Sequence, residues 1–180
     1  AGPIVVAAVS IPKGFYPRAT ALPKLKDSKK LSLNQRLLWF RYIKSHPKIT
    51  YSTSRIYPRK IEKRNIANCA NLAAYQTFQK LNSSRRNVSV FLDGSLYLGK
   101  RSAQPSFAKT ITRRDEKFIV IKLATIVAKV TRDRYMTGLS RKYPQYAFHL
   151  HKGYGTLTHR RMIKRFGPAE THRLTYLKNY

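Results

Sequence analysis

The sequence predicts an α/β fold in which a mixed sheet is flanked by helices. Short β-branched, apolar runs alternate along the chain with longer stretches whose apolar residues recur every three to four positions, and these are the periods of strands and helices. The chain has 180 residues, of which 42% are hydrophobic, so it is long enough for one domain with its own core. Neither repeats nor low-complexity tracts interrupt the alternation.

Four segments have the composition of strands. Residues 4–11 are β-branched and apolar, which is typical of a strand buried on both faces. Residues 49–57 alternate weakly and end before Pro58. Two shorter apolar runs, at residues 87–92 and 107–112, complete the predicted sheet.

Four segments carry the helical period. The first helix opens at Ser32 with the Ser-x-x-Gln pattern of a capping box and stops at Pro47. A second helix covers residues 61–81, and the long apolar pattern over 118–143 predicts one or two helices. A last short helix ends before Gly167.

The charge of the chain indicates a polyanionic partner. There are 37 Lys and Arg against 7 Asp and Glu, a formal net charge of +30. Such self-repulsion is relieved when phosphates share the charge, so nucleic acid is the expected partner and its binding should weaken with salt. The alternatives are a solvated basic surface and, less favoured, an anionic membrane, for which no segment has the required basic and apolar faces.

The cysteine content and the hydropathy of the chain indicate where in the cell the protein is expected. The single cysteine, Cys69, excludes a disulfide framework and a thiolate zinc cluster, and is expected as a small buried side chain. The histidines lack zinc-site spacing. No apolar run reaches about 18 residues and no signal peptide is visible, so a cytoplasmic location is expected.

Because acidic residues are few, each one is informative. Asp93 closes an apolar run at the end of a predicted strand, where open α/β sheets place their ligand crevices. Its alternative is a simple Asp-Gly turn. Asp115 precedes the long helix beside two arginines that favour its ionised form, and its alternative is a first-turn acid that favours the helix dipole. Asp133 is expected to be ion-paired at the surface or in a groove, and Glu116 to serve only as a first-turn acid. No catalytic role is assigned to Glu62 or Glu170.

Two loops carry the groups expected to bind phosphate. The first, which contains Ser28, Lys29 and Lys30, lies at a loop-to-helix junction where backbone N–H groups also attract anions. The second is the segment HKGYGT at residues 151–156, with donors, an aromatic face for stacking and glycines that permit close approach of a backbone. The alternatives are a solvated charge run for the first loop and a core tyrosine in a turn for the second.

Taken together, these segments resemble the bacterial ribonuclease HII family. Order and spacing are kept over essentially the whole chain. The segments that carry the resemblance are AGPIVVAAV (1–9), LKDSKKLS (25–32), the IxxxNIANCANLAA stretch (61–74), LDG (92–94), Asp115, LATIVAKVTRDRYM (123–136), KYPQYAFHLHKGYGT (142–156) and GPAETHR (167–173).

The resemblance implies an RNase H-like mixed sheet flanked by helices, with a C-terminal helical extension. Residues from 1 to about 143 would form the sheet-and-helix core, and those from about 144 to 180 a substrate-contacting segment of the same domain. The implied activity is metal-dependent cleavage of the RNA strand in RNA/DNA hybrids and at ribonucleotides embedded in DNA. It uses Mg²⁺ or Mn²⁺, leaves 5′-phosphate and 3′-hydroxyl ends, and is expected of a monomer.

The resemblance also assigns residues to roles. Asp93 and Asp115 match two of the family's four metal-binding acids, and Tyr154 matches the tyrosine that packs on the sugar at the RNA–DNA junction. The remaining substrate-binding candidates lie at or beside family positions near the phosphates: Lys29, Lys30, Lys152, Ser28 and His151.

One departure from the family pattern concerns the beginning of the chain. The family's first strand ends in Asp-Glu-x-Gly-Arg-Gly-Pro, shortly before the segment that begins here at Ala1. We therefore expect the central strand and two of the four acids to be missing from these 180 residues, which should then cleave weakly or not at all. The alternative function is a basic nucleic-acid-binding protein without catalysis, because the net charge fits both.

Overall fold

The part of the chain that the structure describes contains four strands and six helices in mixed order, which confirms the predicted α/β class. The computed structural model describes residues 1–82, 88–99, 101–111 and 118–177. Within these ranges the strands form one antiparallel pair and one parallel pair. None of the helices in the same ranges combines the length and apolarity needed to cross a bilayer.

The antiparallel pair consists of β1 (Ile4–Ser10) and β2 (Thr50–Ile56), as the apolar runs predict. Ile4 lies opposite Ile56 and Ser10 opposite Thr50. All seven residues of β1 are half-buried, whereas the sequence predicts a strand that is fully buried on both faces. The prediction therefore overstated the burial of this strand. Helices contact β1, but their cover leaves each of its side chains partly accessible.

The parallel pair consists of β3 (Val90–Asp93) and β4 (Ala108–Ile111). Both are shorter than the runs that predict them, and residues 87 and 112 lie outside the described ranges. Val6 of β1 packs against the apolar cluster beside β2 and against the one under β3 and β4, so it links the two strand pairs.

The first and fourth helices follow the sequence closely. Helix α1 (Leu33–Ser45) begins with the predicted capping box, in which Gln35 N donates to Ser32 Oγ and Ser32 N donates to Gln35 Oε1. Helix α4 (Ile119–Lys142) is one continuous helix, which settles the choice between one and two. It contacts β1 and α1, and with them encloses a core around Trp39, Ile43 and Ile126.

The single helix predicted over residues 61–81 is two helices, so that prediction was wrong. Helix α2 (Pro58–Arg64) begins with a proline, which suits the first turn because its missing N–H has no helical partner there. Helix α3 (Ile66–Asn82) begins after Asn65, whose φ of 60° interrupts the helical path. The Asn65 side chain then accepts a hydrogen bond from Asn68 N at 3.1 Å, which satisfies the new helix start.

The C-terminal segment folds against the second half of α4. It contains the short α5 (Phe148–His151) and the predicted last helix, α6 (Leu157–Phe166), which begins at the capping residue Thr156. Phe148 and Met136 of α4 are fully buried in the core between them.

Candidate functional site

Asp93 is the last residue of β3 and presents its carboxylate at the carboxyl end of the parallel strand pair. The turn that follows is closed by backbone groups: Gly94, at φ 66°, donates its N–H to Ile111 O at 3.1 Å. The Asp93 side chain is exposed and has no hydrogen bond or ion pair with any described residue. The predicted Asp-Gly turn is therefore present and leaves the carboxylate oxygens available, while the binding of a ligand by Asp93 stays a prediction.

Asp115, the second acid of the expected pair, lies outside the described residues, as does Glu116. In the register of the parallel pair Asp93 is the partner of Ile111, which precedes Asp115 by four positions in the sequence. The proximity of the two carboxylates stays a prediction.

Asp133, in the middle of α4, is placed very differently. It is 8% exposed, and its carboxylate accepts a hydrogen bond from Lys129 Nζ at 2.8 Å, one helical turn away. The predicted ion pair is confirmed, but the prediction of a surface or groove position was wrong, because the residue is buried. A buried carboxylate that is already neutralised by a cation is a structural group.

Tyr154 provides an aromatic surface backed by cations. Its side chain is 53% exposed, Lys129 Nζ lies 5.1 Å from the ring centroid, and the guanidinium carbon of Arg132 lies 4.9 Å from it. Arg132 Nη1 is buried and has no hydrogen-bond partner among the described residues. An exposed ring with two cations beside it suits a sugar or base next to a phosphate.

The loop that contains Ser28, Lys29 and Lys30, called here the lysine loop, is held in place by hydrogen bonds to its main chain. Asp27 caps the short 3-10 helix Ser28–Lys30 by accepting from Lys29 N at 2.8 Å, and Arg36 donates to the Ser28 carbonyl at 2.9 Å. Lys29 and Lys30 are exposed, as their expected role requires. Ser28 is 6% exposed, so little of this residue is accessible to a bound phosphate, contrary to its expected role.

The second loop is more rigid than the sequence suggests. Lys152, at φ 51°, donates from Nζ to Thr137 Oγ1 at 2.8 Å and to the His149 carbonyl, so its ammonium is held against α4. The glycine at 153 serves packing rather than ligand approach, because a Cβ there would lie 2.8 Å from Met136 Cε. His151 is buried, with Nε2 against the Tyr146 carbonyl at 2.8 Å. Its ring therefore supports the loop from inside.

Sequence reasoning missed a cluster formed by three buried histidines, His151, His159 and His172. The His151 and His159 rings stack with centroids 4.4 Å apart, and His159 Nε2 lies 3.0 Å from His172 Nε2. Nothing in their spacing marks them as neighbours, because they meet only when α6 folds back on the 151–156 loop. The residues described by the structure contain no group of three or more His, Cys, Asp or Glu arranged to hold a metal ion.

Solved structures with the same fold are ribonucleases of the H type. The PCNA:RNase HII complex from Archaeoglobus fulgidus matches with a TM-score of 0.70 at 20% identity, covering 97% of this chain and 88% of that chain. The ribonuclease H2 from Pyrococcus horikoshii OT3 matches with a TM-score of 0.58 at 21% identity, covering 95% and 93%. At these identities the similarity shows the fold, and it confirms the predicted RNase H-like architecture.

The sequence goes further and defines the family. The family model of Ribonuclease HII matches residues 1–179, and the chain belongs to this family. Among its relatives named Ribonuclease HII, that of Ruminiclostridium cellulolyticum is 38% identical over 180 residues, and that of Caldicellulosiruptor bescii is 35% identical over 180 residues. The matches cover 100% and 99% of this chain, but 66% and 81% of those proteins, so the chain spans less than two thirds of the first relative's length.

Proposed function

We propose that the protein is an endoribonuclease that hydrolyses the RNA strand of RNA/DNA hybrids and incises DNA at embedded ribonucleotides, leaving 5′-phosphate and 3′-hydroxyl ends. The observation that carries the proposal is the available Asp93 carboxylate at the carboxyl end of β3, in a chain that matches the family from residue 1 to 179. Ligand crevices of open α/β sheets lie at this end of the strands.

Asp93 fits a hard divalent cation because its oxygens are exposed and unbonded among the described residues. Asp93 and Asp115 would hold Mg²⁺ or Mn²⁺, and further oxygen ligands would come from water and the scissile phosphate. Two bound ions supply an activated water and charge neutralisation at the leaving oxygen. What these 180 residues contribute themselves is the carboxylate oxygens and their place beside the substrate.

The substrate would lie across the cationic surfaces of α4 and the two loops. Tyr154 would pack on the sugar at the RNA–DNA junction, with the Arg132 guanidinium beside its ring. Lys29, Lys30 and Lys152 would neutralise phosphates on either side of it. Only RNA offers a 2′-hydroxyl that distinguishes the two strands of a hybrid.

The proposal treats the chain as one RNase H-like domain that acts as a monomer in the cytoplasm. Residues from 1 to about 143 carry Asp93 and the lysine loop, and those from about 144 carry Tyr154 and Lys152. The extensive packing of α4 against α5 supports a single unit rather than two.

Cleavage of two substrates tests the proposal. The complete gene product should cut both an RNA/DNA hybrid and a duplex with one ribonucleotide in Mg²⁺ or Mn²⁺, and should do neither in a chelator. The Asp93→Asn variant should lose cleavage while binding the hybrid as tightly as the wild type in the chelator. Full cleavage by Asp93→Asn would contradict the role of this carboxylate.

The net charge of +30 favours a second candidate function, a nucleic-acid-binding protein without catalysis. Its distinguishing result is tight, salt-sensitive binding of the hybrid with no cleavage in either metal ion. The same pair of assays therefore separates the two functions.

A further inference from the structure

The buried histidine cluster lies directly beneath the Tyr154 loop. His159 and His172 are each 3% exposed, and both rings contact Phe148, with centroid separations of 5.5 Å and 5.7 Å. The Tyr154 main chain is held on both sides by this cluster: its N–H donates to the His151 carbonyl at 2.9 Å, and its carbonyl lies 2.9 Å from His159 Nδ1.

The hydrogen bonds determine where each proton lies. His172 Nδ1 lies 2.9 Å from Ala169 N and 3.2 Å from Ala169 O, so this nitrogen could accept or donate there. The Tyr154 carbonyl at the other end of the chain of bonds can only accept, and every bond is made with neutral rings only if His172 Nδ1 accepts and its proton lies on Nε2. Since His172 Nε2 faces His159 Nε2 at 3.0 Å, His172 donates and His159 accepts. The proton of neutral His159 must then lie on Nδ1, where it donates to the Tyr154 carbonyl. Three consecutive bonds have one consistent direction, from Ala169 to Tyr154.

In this chain of bonds both rings are neutral, because a second proton on His159 would place its Nε2–H against the Nε2–H of His172. Burial is the main cause that lowers the pKa of His172 and lowers that of His159 to about 4. The neighbouring groups that contribute to the lowered pKa of His159 are His151, His172 and the amino terminus. With these surroundings the rings are neutral near pH 7.

The same main-chain contacts set the position of the Tyr154 ring. The loop has little freedom elsewhere, since Gly153 packs against Met136 and the Ala1 amino group donates to the Gly153 carbonyl at 2.8 Å. The ring then projects outward beside Lys129 and Arg132. The hydrogen bonds that run from Ala169 through the two histidines therefore help to determine where the exposed Tyr154 ring lies.

We propose that His172 is a positioning residue which, through the donor it gives to His159, holds Tyr154 in the orientation that receives the sugar at an RNA–DNA junction. The inference rests on the proposed function, which makes Tyr154 a substrate contact. His172 itself is buried and touches no substrate.

The first test reads the protons directly. In ¹⁵N-labelled protein near pH 7, the ring nitrogen shifts of His159 should report the Nδ1–H tautomer, and those of His172 the Nε2–H tautomer. A His159 ring protonated on Nε2 would overturn the chain of bonds, whatever the activity of the protein.

The second test is a double-mutant cycle on binding, with a fluorescein-labelled duplex containing one ribonucleotide in a chelator. His172→Phe keeps the aromatic volume but removes the donor, so the Kd should rise about fivefold. In a Tyr154→Ala background, which should itself bind about tenfold more weakly, the same change should have almost no further effect. His46→Phe at the end of α1 is the matched control and should leave the Kd unchanged.

The outcomes distinguish the substrate role of Tyr154 from the positioning role of His172. If Tyr154→Ala binds as tightly as the wild type, the substrate role of Tyr154 fails and the positioning role falls with it. If Tyr154→Ala weakens binding but His172→Phe weakens it equally in both backgrounds, only the positioning role is overturned. His172→Gln retains an N–H near the position of Nε2 and should bind within about twofold of the wild type, which covers the case in which the Phe variant does not fold.

Discussion

Two carboxylates, at the end of β3 and in the middle of α4, show how differently the same chemical group can be placed in one basic protein. Asp133 is buried and accepts a hydrogen bond from Lys129 at 2.8 Å. Asp93 is exposed and unbonded among the described residues. Of the five described acids, only Asp133 and Glu170 form ion pairs with described residues. Asp27 and Glu62 accept hydrogen bonds from uncharged groups, whereas the Asp93 carboxylate accepts none from a described residue. The comparison indicates that Asp133 serves the fold, whereas the Asp93 carboxylate is available to a ligand, as the proposed function requires.

The largest expected effect comes from removing the charge of Asp93. In the complete gene product, Asp93→Asn should lower kcat for a hybrid by about 100-fold or more, because a metal ligand and its negative charge are lost. The thermal midpoint should stay close to that of the wild type, since the side chain is exposed and has no hydrogen bond with a described residue. Steady-state cleavage and a thermal melt on the same samples check both parts.

Asp133→Asn should show the opposite pattern. It leaves the partly buried Lys129 ammonium without its partner, so the free energy of unfolding measured in urea should fall by about 2–3 kcal/mol. The matched control is Glu170→Gln, which removes an ion pair of similar length, 2.9 Å to Lys142, at an exposed site. The control should leave the urea midpoint nearly unchanged. Equal destabilisation by both changes would break the comparison.

The histidine cluster predicts that stability falls on mild acidification. Burial lowers the pKa of His159 from 6.5 to about 4, so between these values the unfolded chain binds more protons than the folded one. Stability is therefore full above pH 6.5 and declines as the pH falls toward 4, by about 1–3 kcal/mol for this residue.

Urea unfolding at several pH values measures this decline, and His159→Gln should flatten it. Burial also lowers the pKa of His172, which contributes a slope of the same sign that His159→Gln leaves in place. An unchanged slope between pH 6.5 and 4 in that variant would assign the decline to other groups.

A smaller effect, on the salt dependence of hybrid binding, distinguishes direct phosphate contacts of the lysine loop from the overall positive charge of the protein. Lys29→Ala should reduce the slope of log K against log salt for hybrid binding by about 0.9, the value for one phosphate contact. Lys48→Ala removes an exposed lysine just beyond α1 and should leave the slope unchanged. The same reduction for both would mean that the loop contributes only to the overall field.

Elements with strong local signals were predictable from the sequence. The capping box at Ser32 and the β-branched run that forms β1 specify their structures within a few residues. The break at Asn65 was not predictable from apolar period alone, because the spacing continues through it while the backbone turns to φ 60°. Here the capping ability of an asparagine side chain outweighed the period.

Those parts of the candidate site that depend only on neighbouring residues in the sequence were predictable. The strand-ending Asp93 and the aromatic Tyr154 lie exposed, as the sequence suggests. The burial of Ser28 and His151 could not be read from the sequence, because both stand beside exposed basic neighbours in it. The histidine cluster depends on contacts between residues up to 21 positions apart, which no local pattern reveals.

The most direct test of the account is whether Asp93 binds a divalent cation at the substrate. In the complete gene product with a bound hybrid that carries a non-cleavable linkage, Mn²⁺ should broaden the NMR signals of residues around Gly94 and Phe91. Asp93→Asn should abolish that broadening, and Asp133→Asn should preserve it. Broadening that persists without the Asp93 carboxylate, or that centres on α4 instead, would contradict the account.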